Sequence, residues 1–202
     1  MANSQGVRAA LLGVAVLALA GCGGATTTTV TVTNTVTHVR TVTVTKPATT
    51  TTTATATNAC AAADLQGSFD GVAGSAGAGQ IVYQLKLTNT GSSPCFVQGI
   101  PQVQLIGTTG NALPTSASAE PGQPTPRKIS LAPNATATAD AQFSPDVPGT
   151  GDSQSGHCQP TATVMRVTAP GGGTLDAPVQ PPTSVCERGS LRFKPFVSAA
   201  SP

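Results

Sequence analysis

Between Cys60 and Val197 apolar residues recur at every second position for a few residues at a time, and Gly, Pro or Asn then breaks each run. The clearest case is "QIVYQLKLTN", which sets Ile81, Tyr83, Leu85 and Leu87 on one face and Gln84, Lys86 and Thr88 on the other. A period of two is the mark of a half-buried strand. "NTGSSP" follows as a turn, with Asn89 able to bond its own backbone and Gly91 able to take a positive φ. Further strands are expected at Asp64–Phe69, Cys95–Gln98, Gln102–Ile106, Arg127–Leu131, Ala135–Phe143, Thr161–Thr168, Thr174–Val179 and Ser190–Phe196. "APGGGT", Ala169 to Thr174, reads as a hairpin loop between two of these. No window holds a helical period beyond a turn or two. Short strands spaced by about 8–12 residues imply an all-β fold, an antiparallel immunoglobulin-like β-sandwich over residues 59–197.

Such a domain has few large side chains with which to build its core. Aromatic residues are 3% of the chain, Trp is absent, and charged residues are 9%. Cysteines supply the missing constraint. Cys60, Cys95, Cys158 and Cys186 lie in the domain, and four cysteines allow three pairings. Pairing Cys60 with Cys95 and Cys158 with Cys186 closes two loops of roughly 30 residues, each worth about 3.5 kcal/mol by chain entropy. The alternatives for Cys95 are weaker. No C-x-x-C or H-x-x-x-H spacing suggests a metal, and the domain's single histidine, His157, lies in a Pro, Gly and Ser loop. No metal or cofactor is expected.

Oxidised cysteines need an oxidising compartment, and the N-terminus supplies the route. Residues 1–21 run from a polar start with one positive charge, Arg8, through the small apolar stretch Ala9 to Gly21. That is the pattern of an export signal. Thirteen helical residues cover only about 20 Å, short of the roughly 30 Å hydrocarbon core. The segment resembles a bacterial lipoprotein signal, with Leu19-Ala20-Gly21 as the lipobox and Cys22 as the lipidated residue. Since one acyl chain holds a protein only marginally and two hold it firmly, the mature chain is expected at the cell membrane, lipid-anchored on the extracytoplasmic face.

Residues 22–58 join anchor to domain. Thr26 to Thr57 contains 18 threonines in 32 residues, with no aromatic and no carboxylate. Low complexity and few large apolar groups favour a solvated tether. The alternating run Thr29 to Thr45 could instead form a strand, yet Asn34, His38 and Arg40 interrupt its valine face and no turn follows to pair it. We read residues 22–58 as a disordered Thr-rich stalk, His38 as a solvated residue within it, and 198–202 as a disordered tail.

Function is less legible than address. Ten basic and eight acidic residues are scattered, which gives no electrostatic footprint for nucleic acid. The loop Ser144 to Pro160 gathers the triad residue types Asp146, Asp152, Ser153, Ser155 and His157, and "GDS" at Gly151 to Ser153 echoes an esterase signature. It lacks the strand–turn–helix setting, Gly-x-Ser-x-Gly is absent, and a Pro-broken loop is a poor mount for a triad. No catalytic residue is expected. "GVAGSAGAG", Gly71 to Gly79, lacks the Lys and helix of a phosphate loop. "AEPGQPTPRK", Ala119 to Lys128, is a Pro-rich surface loop with weak credentials as a peptide ligand.

Cys60, the block "LKLTNTGSSPC" with its continuation "QGIPQVQL", then "ISLAPNATATADAQF", and finally Cys158 and Cys186 around "TVMRVTAPGG" together resemble a family of secreted and lipid-anchored proteins of high-GC Gram-positive bacteria, classed as a domain of unknown function. The resemblance covers Cys60 to Val197 and implies a sandwich in the cell envelope, with no catalytic residues to carry over. The expectation is a non-catalytic extracytoplasmic module that binds an envelope protein, glycan or small ligand. The alternatives are a passive wall component and, third, a hydrolase.

Overall fold

The computed structural model describes residues 28–32, 40–44 and 56–199. The chain divides into two units, Met1–Thr52 and Thr53–Pro202. The expected export signal at residues 1–21, Cys22, His38 and residues 200–202 lie outside the described residues. In the first unit β1 (Thr28–Val32) pairs antiparallel with β2 (Arg40–Val44), Val30 opposite Val42. The valine alternation thus makes a ladder, contrary to the expectation that it had no partner.

The second unit is nearly all strand: β3 (Leu65–Gly71), β4 (Ile81–Asn89), β5 (Cys95–Gln98), β6 (Gln102–Gly107), β7 (Ser116–Ala119), β8 (Lys128–Leu131), β9 (Thr136–Phe143), β10 (Ala162–Thr168), β11 (Thr174–Thr183), β12 (Ser190–Phe193) and β13 (Val197–Ser198). A 3-10 turn at Ala62–Asp64 and a tight turn at Cys186–Gly189 are the other regular pieces. The strands join in the order β6-β10-β11-β3-β4-β9-β12-β7, β13 pairs with β9 as well, and β5 and β8 form a small sheet of their own. The all-β expectation holds, with disulfides Cys60–Cys95 and Cys158–Cys186. Its finer, immunoglobulin-like form gives way to a nearly closed barrel.

Two features close the sheet. Parallel pairing of Val179 with Phe69 and of Gln180 with Asp70 stitches β11 to β3, and Tyr83 Oη donates to Pro181 O at 2.9 Å beside that seam. At the far ends of the path, Leu113 N–H donates to Leu105 O and Leu105 N–H donates to Thr115 Oγ1, both at 2.9 Å, just before β7 begins. The alternation places β11 at Thr174–Val179. The strand continues to Thr183, which lies opposite Ala162.

Alternation decides which side chains fill the barrel. Tyr83, Leu85 and Leu87 of β4 are buried, as are Ala137, Ala139 and Ala141 of β9, Leu191 and Phe193 of β12, and Met165 and Val167 of β10. The small alanines leave room for the rings of Phe69, Tyr83 and Phe143, whose neighbouring centroids lie 5.1 and 5.2 Å apart. Tilted contacts of this kind add to the burial itself. Asn89, fully buried, closes the β4 turn: its Nδ2 donates to Ser93 O and Leu131 O, and its Oδ1 accepts from Gly91 N–H. Gly91 does not need a positive φ. A Cβ there would meet the Asp64 side chain at 2.9 Å, so close approach is its role.

Truncating Phe69, which is 0% exposed, is expected to cost about 3–5 kcal/mol, seen as a lower urea midpoint at unchanged slope. Val72→Ala, at an exposed site, is expected to stay within about 0.5 kcal/mol.

Candidate functional site

β4 and β9 turn their second face away from the barrel, carrying Gln84 on one strand and Thr138 and Asp140 on the other, with Gln84 opposite Asp140. Two segments fold over this face. One is the Pro-rich loop through Gln123 to Arg127, and the other is Lys194 to Val197, held by Lys194 N–H to Asp140 O at 2.9 Å and Phe196 N–H to Gly99 O at 3.1 Å. Between them lies a groove of about 320 Å³. Its walls are mostly apolar, from Pro124, Pro126, Ile129, Pro195, Phe196 and Val197. This is the usual composition of a ligand cleft: apolar walls with a few placed polar groups.

The polar groups are unequally engaged. Asp140 is served on both oxygens, Oδ1 accepting from Gln84 Nε2 at 2.9 Å and Oδ2 facing Lys194 Nζ at 3.7 Å. Thr138 is only 9% exposed, yet its hydroxyl has no hydrogen-bond partner among the described residues and is not sealed from the groove. Arg127 is exposed at the rim and forms no ion pair among the described residues. A smaller depression beside Glu120 shares Asp140 and Lys194 with the groove. Another, of about 340 Å³, lies past Phe196, between residues 98–102 and 167–172.

The residues that suggested a triad are placed differently. His157, Ser153 and Ser155 are exposed, and Ser153 Oγ donates to Ser155 O. Among the described residues no histidine bonds Asp152, whose carboxylate accepts from Gly149 N–H, Glu187 N–H, Arg188 N–H and Gln159 Nε2. These donors hold its carboxyl at about 2, the Gly149 amide contributing most, with partial burial opposing. The loop is therefore tied down at Asp152. Asp152 braces the turn in which Glu187 and Arg188 take φ of 53° and 58°, a backbone that non-glycine residues rarely adopt. Cys158–Cys186 fastens loop and turn from the other side. Asp152, Cys158 and Cys186 offer ligand atoms within 4.8 Å of one another, but both sulfurs are consumed in the disulfide, so no thiolate is left for a metal.

The family profile described as "Domain of unknown function (DUF4232)" matches residues 60–197. The chain belongs to that family. No curated protein and no solved structure matches it. The DUF4232 domain begins at Cys60 and takes in the barrel, both disulfides and the whole groove. Sequence reasoning missed the groove. Its only trace was the period of two, which sends Thr138 and Asp140 outward, and the Pro-rich loop that forms one wall.

Since the Asp152 carboxyl is held below its ordinary 3.8, the ionised form stabilises the fold above that value. The contribution is lost as pH falls through the folded value, between about pH 4 and pH 2. Asp152→Asn is expected to lower the urea midpoint at pH 7, and the gap to the parent chain should narrow across that window. A gap independent of pH would contradict this role.

Proposed function

We propose that the protein is an exported, lipid-anchored binding module of the cell envelope, held by acyl groups on Cys22 and spaced from the membrane by the Thr-rich segment. The observation that carries the binding reading is the groove on the outer face of β4 and β9, where Thr138 is nine-tenths buried yet keeps its hydroxyl unpaired. That hydroxyl opens into the groove, so a ligand seated there can bond it where the chain does not. The anchoring reading is supported by the small apolar run ending at Cys22. No helix among the described residues is long and apolar enough to cross a membrane. No catalytic role is assigned, because Asp152 is occupied by backbone donors and lies apart from any histidine partner.

Two experiments test the reading. Cys22→Ala is expected to shift the chain from the membrane fraction to the soluble fraction and to remove the acyl mass from its mature N-terminus; unchanged fractionation would overturn the anchor. A photo-crosslinking residue at Gln123 in intact cells should capture a partner that is lost when Thr138→Arg fills the groove. Equal capture by the filled groove would point to the passive wall component instead.

A further inference from the structure

We propose that the groove receives the carboxyl end of a polypeptide, an inference that rests on the groove being the ligand site. The walls carry two cations, Arg127 and Lys194, against one carboxylate, Asp140. Asp140 is already engaged by Gln84 and Lys194, so it leaves Arg127 uncompensated. Glu120, in the adjoining depression, accepts from Gln123 Nε2 at 3.2 Å and forms no ion pair with Arg127. A guanidinium presents a planar fork of donors that matches a carboxylate with two parallel bonds. The rim of the groove is thus fitted to a carboxylate.

The floor narrows the choice of what bears that carboxylate. A hydroxyl both donates and accepts, so Thr138 complements an amide, whereas a hydrocarbon chain pressed against it would leave it unpaired and desolvated. Pro124, Pro126 and Pro195 give rigid walls, and Ile129 and Phe196 give an apolar surface. Together these suit short apolar side chains on a backbone that still offers amides. A volume of about 320 Å³ is at the small end of ligand clefts, enough for a terminal segment and too small for a folded partner. A fatty acid shares the carboxylate but lacks the amides.

The test uses the oxidised, 15N-labelled full-length chain titrated with acetyl-alanyl-valyl-valine as the free acid, with the same tripeptide as its carboxyl amide, and with octanoate, following backbone amide shifts. The free acid should move amides of β9 and of residues 123–127, and the amide form should bind at least about tenfold more weakly. Arg127→Ala should weaken the acid by about tenfold to a hundredfold, the span of a charge-assisted hydrogen bond, and leave the amide form unchanged. Thr138→Val should weaken both forms several-fold. Arg188→Ala, which removes a charge lining none of the depressions, should change nothing. Equal binding of acid and amide, octanoate matching the acid, shifts confined to residues outside the groove, or no binding of the acid at millimolar concentration would each overturn the proposal. If the tripeptide fails while groove filling still abolishes capture in cells, the ligand chemistry is wrong and the groove remains the binding site.

Discussion

The eight-pair ladder between β4 and β9, from Ile81 opposite Phe143 to Thr88 opposite Thr136, determines both what the protein is built around and what lines its outer groove. One face supplies Tyr83, Leu85, Leu87 and the three alanines of β9 to the interior. The other supplies Gln84, Thr138 and Asp140 to the groove floor. Because side chains alternate strictly, a slip of one residue would exchange the two sets, sending Thr138 and Asp140 into the barrel and the alanines to the surface. Core and site are therefore a single consequence of register.

Around this ladder, local devices hold what apolar burial alone would leave loose in a chain so poor in aromatic residues. Cys60–Cys95 fastens the entry of the chain to β5, where Cys60 N–H also donates to Phe96 O and Gly171 N–H donates to Cys60 O. Asn89 joins the β4 turn to Leu131 of β8. At another corner Asp152 and Cys158–Cys186 together fix a left-handed turn, and Gly189 at its end lies so close to Pro114 that a Cβ would overlap the Pro114 carbonyl. The connection leading into β7 is thereby packed against the segment leading into β12, beside the parallel pairing of those strands. Asn89 and Asp152 in addition satisfy backbone groups that would otherwise lack partners.

Local signals in the sequence carried over well and non-local ones did not. The period of two located β4, β6, β9 and β10 to within a residue or two, and Asn89 was legible because an Asx turn needs only its own neighbours. Loop lengths near 30 residues were enough to favour the observed disulfides. Parallel contacts of β11 with β3 and of β12 with β7 join residues far apart in the chain, and nothing in either strand alone announces them. β7 itself, "SASA", alternates only serine with alanine and has no large apolar residue to mark it. Ser190–Phe196 reads as one strand, but Pro195 interrupts it and the chain resumes pairing as β13. The groove was illegible for the same reason: Thr138 is buried only because residues 123–127 and 194–197 return over it.

Placing the groove floor on the outside of the ladder, against a tightly filled interior, fixes Gln84, Thr138 and Asp140 by the strands that carry them. Preformed sites lose less ordering entropy on binding than sites built on loops alone. Cross-strand nuclear Overhauser contacts in the oxidised full-length chain test this account most directly, since they report register residue by residue. The account predicts contacts that pair Leu85 with Ala139 and Leu87 with Ala137; contacts that pair Leu85 with Thr138 or Asp140 would contradict it.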